Sequence, residues 1–151
     1  MEHNMFCFQC EQTAGCTGCT GRAGVCGKQA DTAKLQDALT GALIALARTI
    51  QGKQTISAKI SKQILDGLFT TVTNVNFNDV TIQQRIDAIH RELPAGTADY
   101  DMNKVWDAQE DVRSLKSLIL FGIRGMAAYA YHAMILGYTD AQLDAFFVKA
   151  L

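Results

Sequence analysis

The stretch AQEDVRSLKSLILFGIRGMAAYAYHAMIL, residues 108–136, decides the fold. It contains no proline, and its apolar residues recur every three to four positions, which is the period of an α-helix. Acidic residues stand near its start and a glycine follows its end, as is typical of helix termini. The sequence therefore predicts one long helix. The residues expected to face inward on it are Val112, Leu115, Ile119, Met126 and Ala130.

Four shorter helices are predicted from the same period and from capping residues. The first three are predicted to run from Asp31 or Thr32 to about Gly52, from Thr55 to Val72, and from Asn78 or Asp79 to Leu93. The fourth is predicted to begin at a capping box made by Thr139 and Gln142. Residues 94–104 are expected to form a polar loop. No segment shows convincing strand alternation. The predicted fold class is all-α, a helical bundle with an N-terminal cysteine-rich loop that binds a cluster.

Length and composition favour one domain over residues 1–151, divided into a loop at 5–27 and a bundle at 31–151. The last predicted helix stops on an apolar residue, so we expect the chain to be the N-terminal part of a longer protein. The net charge is −1, and no run of like charges points to nucleic acid or to an anionic membrane. Without a secretory signal or an uninterrupted apolar span, the expected location is the cytoplasm.

All five cysteines lie in the first 26 residues, as Cys7, Cys10, Cys16, Cys19 and Cys26. A disulfide framework would spread its cysteines over the chain that it staples, so the cluster reads as a set of metal ligands. Four thiolates suit an iron–sulfur cluster. A tetrahedral zinc site made by Cys7, Cys10, Cys16 and Cys19 is the alternative, although five residues between its two pairs is short for a zinc ribbon. Spacing alone favours iron over zinc without excluding zinc.

Six segments of the chain carry a more specific signal: MFCFQCEQTA at 5–14, TGCT at 17–20, GVCGK at 24–28, LQDAL at 35–39, DGLFTTVTNVNF at 66–77 and EDVRSLKSLILFGIRGMAAYAYHAMILGY at 110–138. Together they resemble a known family, the hybrid cluster (prismane) proteins, whose enzymes are named hydroxylamine reductases. In that family the opening cysteines hold a [4Fe–4S] cluster, or a [2Fe–2S] cluster in some members. The resemblance thus implies Cys7, Cys10, Cys19 and Cys26 as the cluster ligands, with Cys16 as an extra cysteine.

The resemblance also implies a function. In the family the N-terminal cluster relays electrons to a separate hybrid cluster, held by histidine, glutamate and cysteine residues of later domains. No cysteine follows Cys26 here, so the expectation is an electron-transfer domain that is inactive on its own toward hydroxylamine. Its expected partners are a redox donor protein and the remaining catalytic domains of the same enzyme. The alternative function is a zinc-stabilised helical interaction module without a redox role.

Overall fold

Helices dominate the structure, a computed structural model that describes residues 5–10 and 18–151. Over this part of the chain there are six helices: α1 (Ala30–Ile50), α2 (Ala58–Thr70), α3 (Asp79–His90), α4 (Asn103–Trp106), α5 (Glu110–Ile135) and α6 (Ala141–Ala150). The same residues contain no strand, only two isolated bridges near the N-terminus. The predicted all-α class is confirmed.

The central helix is α1, because its sequence is apolar or small on almost every side. Residues 39–47 of this helix are all buried. Helices α2, α3 and α6 pack around it, and α5 packs along α2. The loop before α4 lies directly on α1, since the Tyr100 amide donates to the Gly41 carbonyl at 3.1 Å. A side chain at Gly41 would collide with the Tyr100 carbonyl, so glycine permits this close approach.

Two predicted caps differ from the structure. Helix α1 begins one residue before Asp31, with Gln29 at its cap position and no side-chain capping bond. The Thr32 hydroxyl instead donates to Asp79 at 2.6 Å and ties α1 to the start of α3. At α6 the cap is Asp140, which accepts from two backbone amides, and the predicted Thr139 box is wrong. At α1 no side chain caps the helix, because Thr32 bonds to α3 instead, and at α6 Asp140 caps in place of its neighbour Thr139.

The predicted inward face of α5 is largely wrong. Of the five residues named, only Ala130 is buried, and the exposed fractions of Leu115 and Ile119 are 62% and 51%. Val112 and Met126 are also exposed. The residues that do face inward are Leu120, Ile123, Arg124, Ala127 and Ala130. Because α5 carries apolar residues around most of its circumference, periodicity could not select the face, and contact with α2 selected it.

By length and composition, α5 is the one helix in the described part of the chain that could cross a membrane. Only 28% of its most apolar window is buried. On its buried side lies Arg124, which donates to Thr71 Oγ1 at 2.8 Å and to Thr40 Oγ1 at 3.1 Å. These bonds tie α5 to α1 and to the end of α2. The expectation that the chain meets no membrane stays a prediction.

The end of the predicted polar loop, residues 94–104, overlaps the start of a short helix that the sequence did not reveal. Helix α4 occupies only Asn103–Trp106. It buries Val105 and Trp106 against the core, and the indole of Trp106 donates to Asp37 of α1 at 3.1 Å. Through Trp106 this short helix contacts the phenylalanines of the N-terminal cysteine segment.

Candidate metal centre

Four cysteines from separate parts of the N-terminal segment line one small cavity. They are Cys7, Cys10, Cys19 and Cys26, each half-buried and each a free thiol. The rest of the lining includes Gln9, Gly24, Val25, Lys28 and Thr73. The structure thus brings together all four ligands that the resemblance implied. Cys16, which the zinc alternative requires, lies outside the described residues.

Backbone pairing fixes the position of two of these cysteines. Cys7 and Cys19 form an antiparallel bridge, in which the Cys7 amide donates to the Cys19 carbonyl at 3.0 Å and the reverse bond measures 2.8 Å. Gly18, just before Cys19, has φ +77°, and a Cβ there would lie 2.9 Å from the ring of Phe6. A side chain at position 18 would therefore disturb the bridge that sets the two sulfurs side by side.

A tight turn presents the fourth cysteine. The Gly24 amide donates to the Lys28 carbonyl at 2.8 Å, and the Gly27 amide donates to the Gly24 carbonyl at 2.9 Å. Ala23 and Gln29 pair across the base of this turn. Because α1 begins at the next residue, the turn that carries Cys26 is attached directly to the central helix of the bundle.

An aromatic cluster anchors the segment to the bundle. The ring of Phe6 meets Trp106 edge-on at a centroid distance of 5.6 Å, and Phe8 lies 6.3 Å from the same indole. Both phenylalanines pack against the main core. Phe6 and Phe8 flank Cys7 in sequence, so their packing on α4 holds the Cys7 backbone against the protein and leaves its sulfur toward the cavity.

A buried lysine contacts the cavity. The exposed fraction of Lys28 is 2%, and its Nζ donates to Gln9 Oε1 at 2.8 Å and to Cys7 Sγ at 3.5 Å. Burial raises the pKa of the Cys7 thiol above its ordinary value, and the Lys28 ammonium acts in the opposite direction. A cation at this position favours the thiolate, which is the form that binds metal.

Two further charged side chains, the half-buried Asp37 and the buried Arg124, interact electrostatically with this region. Burial raises the pKa of Asp37 from its ordinary 3.8 to about 6, opposed by its hydrogen bond from Trp106 and by the charges of Arg124 and Lys28. Burial also lowers the pKa of Arg124 to about 10, while the charges of Asp37 and Cys7 oppose that shift. The cysteine cavity is therefore backed by two cations and one carboxylate.

The donor set fits an iron–sulfur cluster by its chemistry. Four sulfur ligands on glycine-rich backbone, with a buried cation beside one of them, suit a soft and anionic metal centre. Among residues 5–10 and 18–151, however, no three cysteine, histidine or carboxylate side chains are grouped closely enough to hold a single metal ion. The sulfurs share a cavity without converging on one point.

Sequence reasoning found the cysteines and missed the polar residues around them: Gln9, Lys28, Asp37 and Arg124. A signal existed for two of these. Lys28 closes the GVCGK segment, two residues after Cys26, and Arg124 interrupts an otherwise apolar helix. Asp37 gave no such signal, because an acidic residue on a helix is usually solvated.

Comparison with known proteins finds a protein family and several individual proteins to which the chain is similar. Residues 5–151 match the model of the Prismane/CO dehydrogenase family. The chain is 38% identical to a hydroxylamine reductase of Desulfovibrio desulfuricans and 38% identical to one of Porphyromonas gingivalis, over 100% of its own length and 33% of theirs. Against a hydroxylamine reductase of Clostridium perfringens the identity is 37%, over 98% of the chain and 33% of the relative. The chain thus spans about a third of the length of these curated relatives.

Proposed function

Because this chain belongs to the Prismane/CO dehydrogenase family, we propose that it is the iron–sulfur electron-transfer domain of a hybrid-cluster-type oxidoreductase, a hydroxylamine reductase. The observation that carries the proposal is the single cavity lined by Cys7, Cys10, Cys19 and Cys26. The similarity to enzymes named hydroxylamine reductase supports the reaction class.

The proposed cofactor is a [4Fe–4S] cluster, with [2Fe–2S] as the alternative. When bound, such a cluster supplies reversible one-electron transfer. The four thiolates would hold it, the Cys7–Cys19 bridge and the Cys26 turn would orient them, and Lys28 would place a positive charge beside Cys7. A cluster with a cysteine at every iron leaves no iron open to substrate, so outer-sphere electron transfer is the role that this ligand set supports.

Reduction of hydroxylamine is assigned to a site outside this chain. Hydroxylamine must accept two electrons and two protons to give ammonia and water, which requires a centre that binds its nitrogen. In the family that this chain resembles, the centre is a hybrid cluster with cysteine ligands, and this sequence has no cysteine after Cys26. We therefore propose a relay from a redox donor protein through this domain to a catalytic cluster elsewhere in the enzyme.

The exposed face of α5 supports the presence of further domains. We define this exposed α5 face as Leu115, Leu118, Ile119, Tyr129 and Leu136, each more than half exposed. With about 3.6 residues per helical turn, these five positions fall on one side of the helix. They form one apolar stripe, which a chain that works alone in water rarely keeps. Since the relatives are about three times as long, we assign this face to the remaining domains of the enzyme.

That assignment has its own test in solution. Sedimentation of the chain at increasing concentration should show a monomer or open-ended association, because a face shaped for another domain has no reason to close on itself. A discrete dimer that Leu118→Lys abolishes, with no loss of thermal stability, would assign the face to a second copy instead.

Reconstitution under anaerobic conditions tests the cofactor. Chain loaded with iron and sulfide should become brown and hold about four iron and about four sulfide ions, or about two of each for the smaller cluster. The band should bleach on reduction and return on oxidation. A colourless chain that takes up one zinc ion and no sulfide would favour the zinc-stabilised interaction module and contradict the proposal.

A further inference from the structure

Lys28 is an unusual residue, because its charge is almost entirely removed from water. Its exposed fraction is 2%, and burying an ammonium group is costly unless other groups compensate for it. Within residues 5–10 and 18–151 no carboxylate forms an ion pair with it. Its described partners are one amide oxygen, on Gln9, and one sulfur, on Cys7. Cys7 is thus the one cavity-lining cysteine whose sulfur lies within hydrogen-bond distance of this charge among the described residues.

A second cation adds to the same field. Arg124 is also buried, and its described hydrogen bonds go to the hydroxyl groups of Thr40 and Thr71 rather than to a carboxylate. Asp37, which also accepts a hydrogen bond from Trp106, lies within the electrostatic range of this guanidinium. Asp37 is half-buried and is the one carboxylate in this group, so the three side chains carry two positive charges and one negative charge when all are ionised. The protein side of the cavity is therefore positive overall.

Such a field affects an anionic cluster in a definite direction. A cluster held by four thiolates carries net negative charge, and reduction adds one electron to it. A nearby cation stabilises the reduced state more than the oxidised state, because the Coulomb attraction grows with the added charge. Hydrogen bonds to a ligand sulfur act in the same direction, and both effects are stronger in a buried site.

We propose that Lys28 is the residue that sets the reduction potential of this domain: its ammonium, held by Gln9 against the Cys7 sulfur, raises the potential of the cluster. The inference rests on the proposed function, since it requires the four cysteines to hold a cluster. Lys28 acts through a ligand and does not touch any substrate, so it is a positioning residue. Gln9 fixes the distance between the charge and the sulfur.

The test is the midpoint potential of the reconstituted chain, measured by anaerobic redox titration. Lys28→Met keeps the length and apolar stem of the side chain and removes the charge, so the potential should fall. We expect a shift of about tenfold in the one-electron equilibrium, which corresponds to about 59 mV. Lys28→Arg keeps the charge, so its midpoint potential should lie close to that of the parent chain. The matched control is Lys34→Met, because Lys34 carries the same charge on an exposed part of α1.

If Lys28→Met does not take up a cluster, a second variant can still test the proposal. Gln9→Leu leaves the charge in the chain but removes the oxygen that holds it, so the potential should fall by a smaller amount. Loaded Lys28→Met with the potential of the parent chain would overturn the inference. If only Gln9→Leu loads, an unchanged potential in that variant would overturn it equally. Failure of the parent chain to take up iron and sulfide is a separate result, since it contradicts the proposed function before any potential is measured.

Discussion

At the scale of single residues, the four cysteines that line the cavity can be separated from the fifth by substitution. Each of Cys7→Ser, Cys10→Ser, Cys19→Ser and Cys26→Ser should lower the iron and sulfide content of reconstituted chain and weaken its visible absorption, because each removes a thiolate ligand. Cys16→Ser is the matched control within the same segment and should load normally. Retention of a full cluster by Cys26→Ser, together with loss in Cys16→Ser, would show that the ligand assignment is wrong.

Asp37 gives a prediction about the dependence of stability on pH. Burial raises its pKa from 3.8 to about 6, so the folded chain holds this proton more tightly than the unfolded chain does. The corresponding stabilisation is present below pH ~4 and is lost as the pH rises through about 6. Two pKa units correspond to at most about 3 kcal/mol of unfolding free energy. Asp37→Asn should therefore gain stability relative to the parent chain between pH 4.5 and pH 7.

Urea unfolding of the metal-free chain at several pH values measures this difference. The control is Asp31→Asn, which removes a carboxylate from the exposed first turn of the same helix. That variant should follow the parent chain across the range. Parallel pH profiles for Asp37→Asn and the parent chain would mean that the carboxyl group is not destabilised by its surroundings.

At the scale of elements, the glycines of the helices differ in what surrounds them. Gly122 and Gly125 lie inside α5, and a Cβ added at either would meet nothing within 4 Å. Alanine has the higher helix propensity, so Gly122→Ala and Gly125→Ala should each stabilise the isolated chain by up to about 1 kcal/mol. Gly41→Ala in α1 should instead destabilise it, because the new methyl group would collide with the Tyr100 carbonyl.

Thermal unfolding of these variants also reports on the exposed α5 face. A rise in Tm for Gly122→Ala and a fall for Gly41→Ala would agree with the packing described here. If Gly122→Ala lowers the Tm instead, groups outside the described residues, or another molecule, cover that position in solution, since no described atom lies within 4 Å of the added Cβ.

Local signals account for most of the elements. The predicted helices exist, because periodic apolar residues and capping side chains act within one or two turns of the chain. Asn78 was one of the two residues predicted to cap α3, and its side chain accepts a hydrogen bond from the Thr81 amide at 3.0 Å. Helix α4 escaped prediction because one turn is too short to show a period, and tertiary contacts stabilise it, namely the burial of Val105 and Trp106 and the bond from Trp106 to Asp37.

At the scale of the whole molecule, the proposed division of labour predicts a chain that carries electrons but does not turn over substrate. Cluster-loaded chain supplied with reduced viologen under anaerobic conditions should be reduced and reoxidised without producing ammonia from hydroxylamine. In the proposed cluster the four cysteine thiolates would occupy every iron and leave none open to substrate. Steady ammonia formation at an enzyme-like rate, lost in Cys7→Ser, would contradict the proposal that the catalytic centre lies elsewhere.

The sequence by itself determined the all-α class, the approximate limits of the longer helices, the family and the set of cysteines that could bind a cluster. The class and the helix limits follow from helical periodicity along the chain, whereas the family and the cysteine set follow from the resemblance of whole sequence segments to a known family. What only the tertiary structure decided are contacts between residues far apart in sequence: the buried face of α5, and the approach of Lys28, Asp37 and Arg124 to Cys7. The physical reason is that an apolar helix can bury more than one face, and that a charge becomes part of a site only when packing removes it from water.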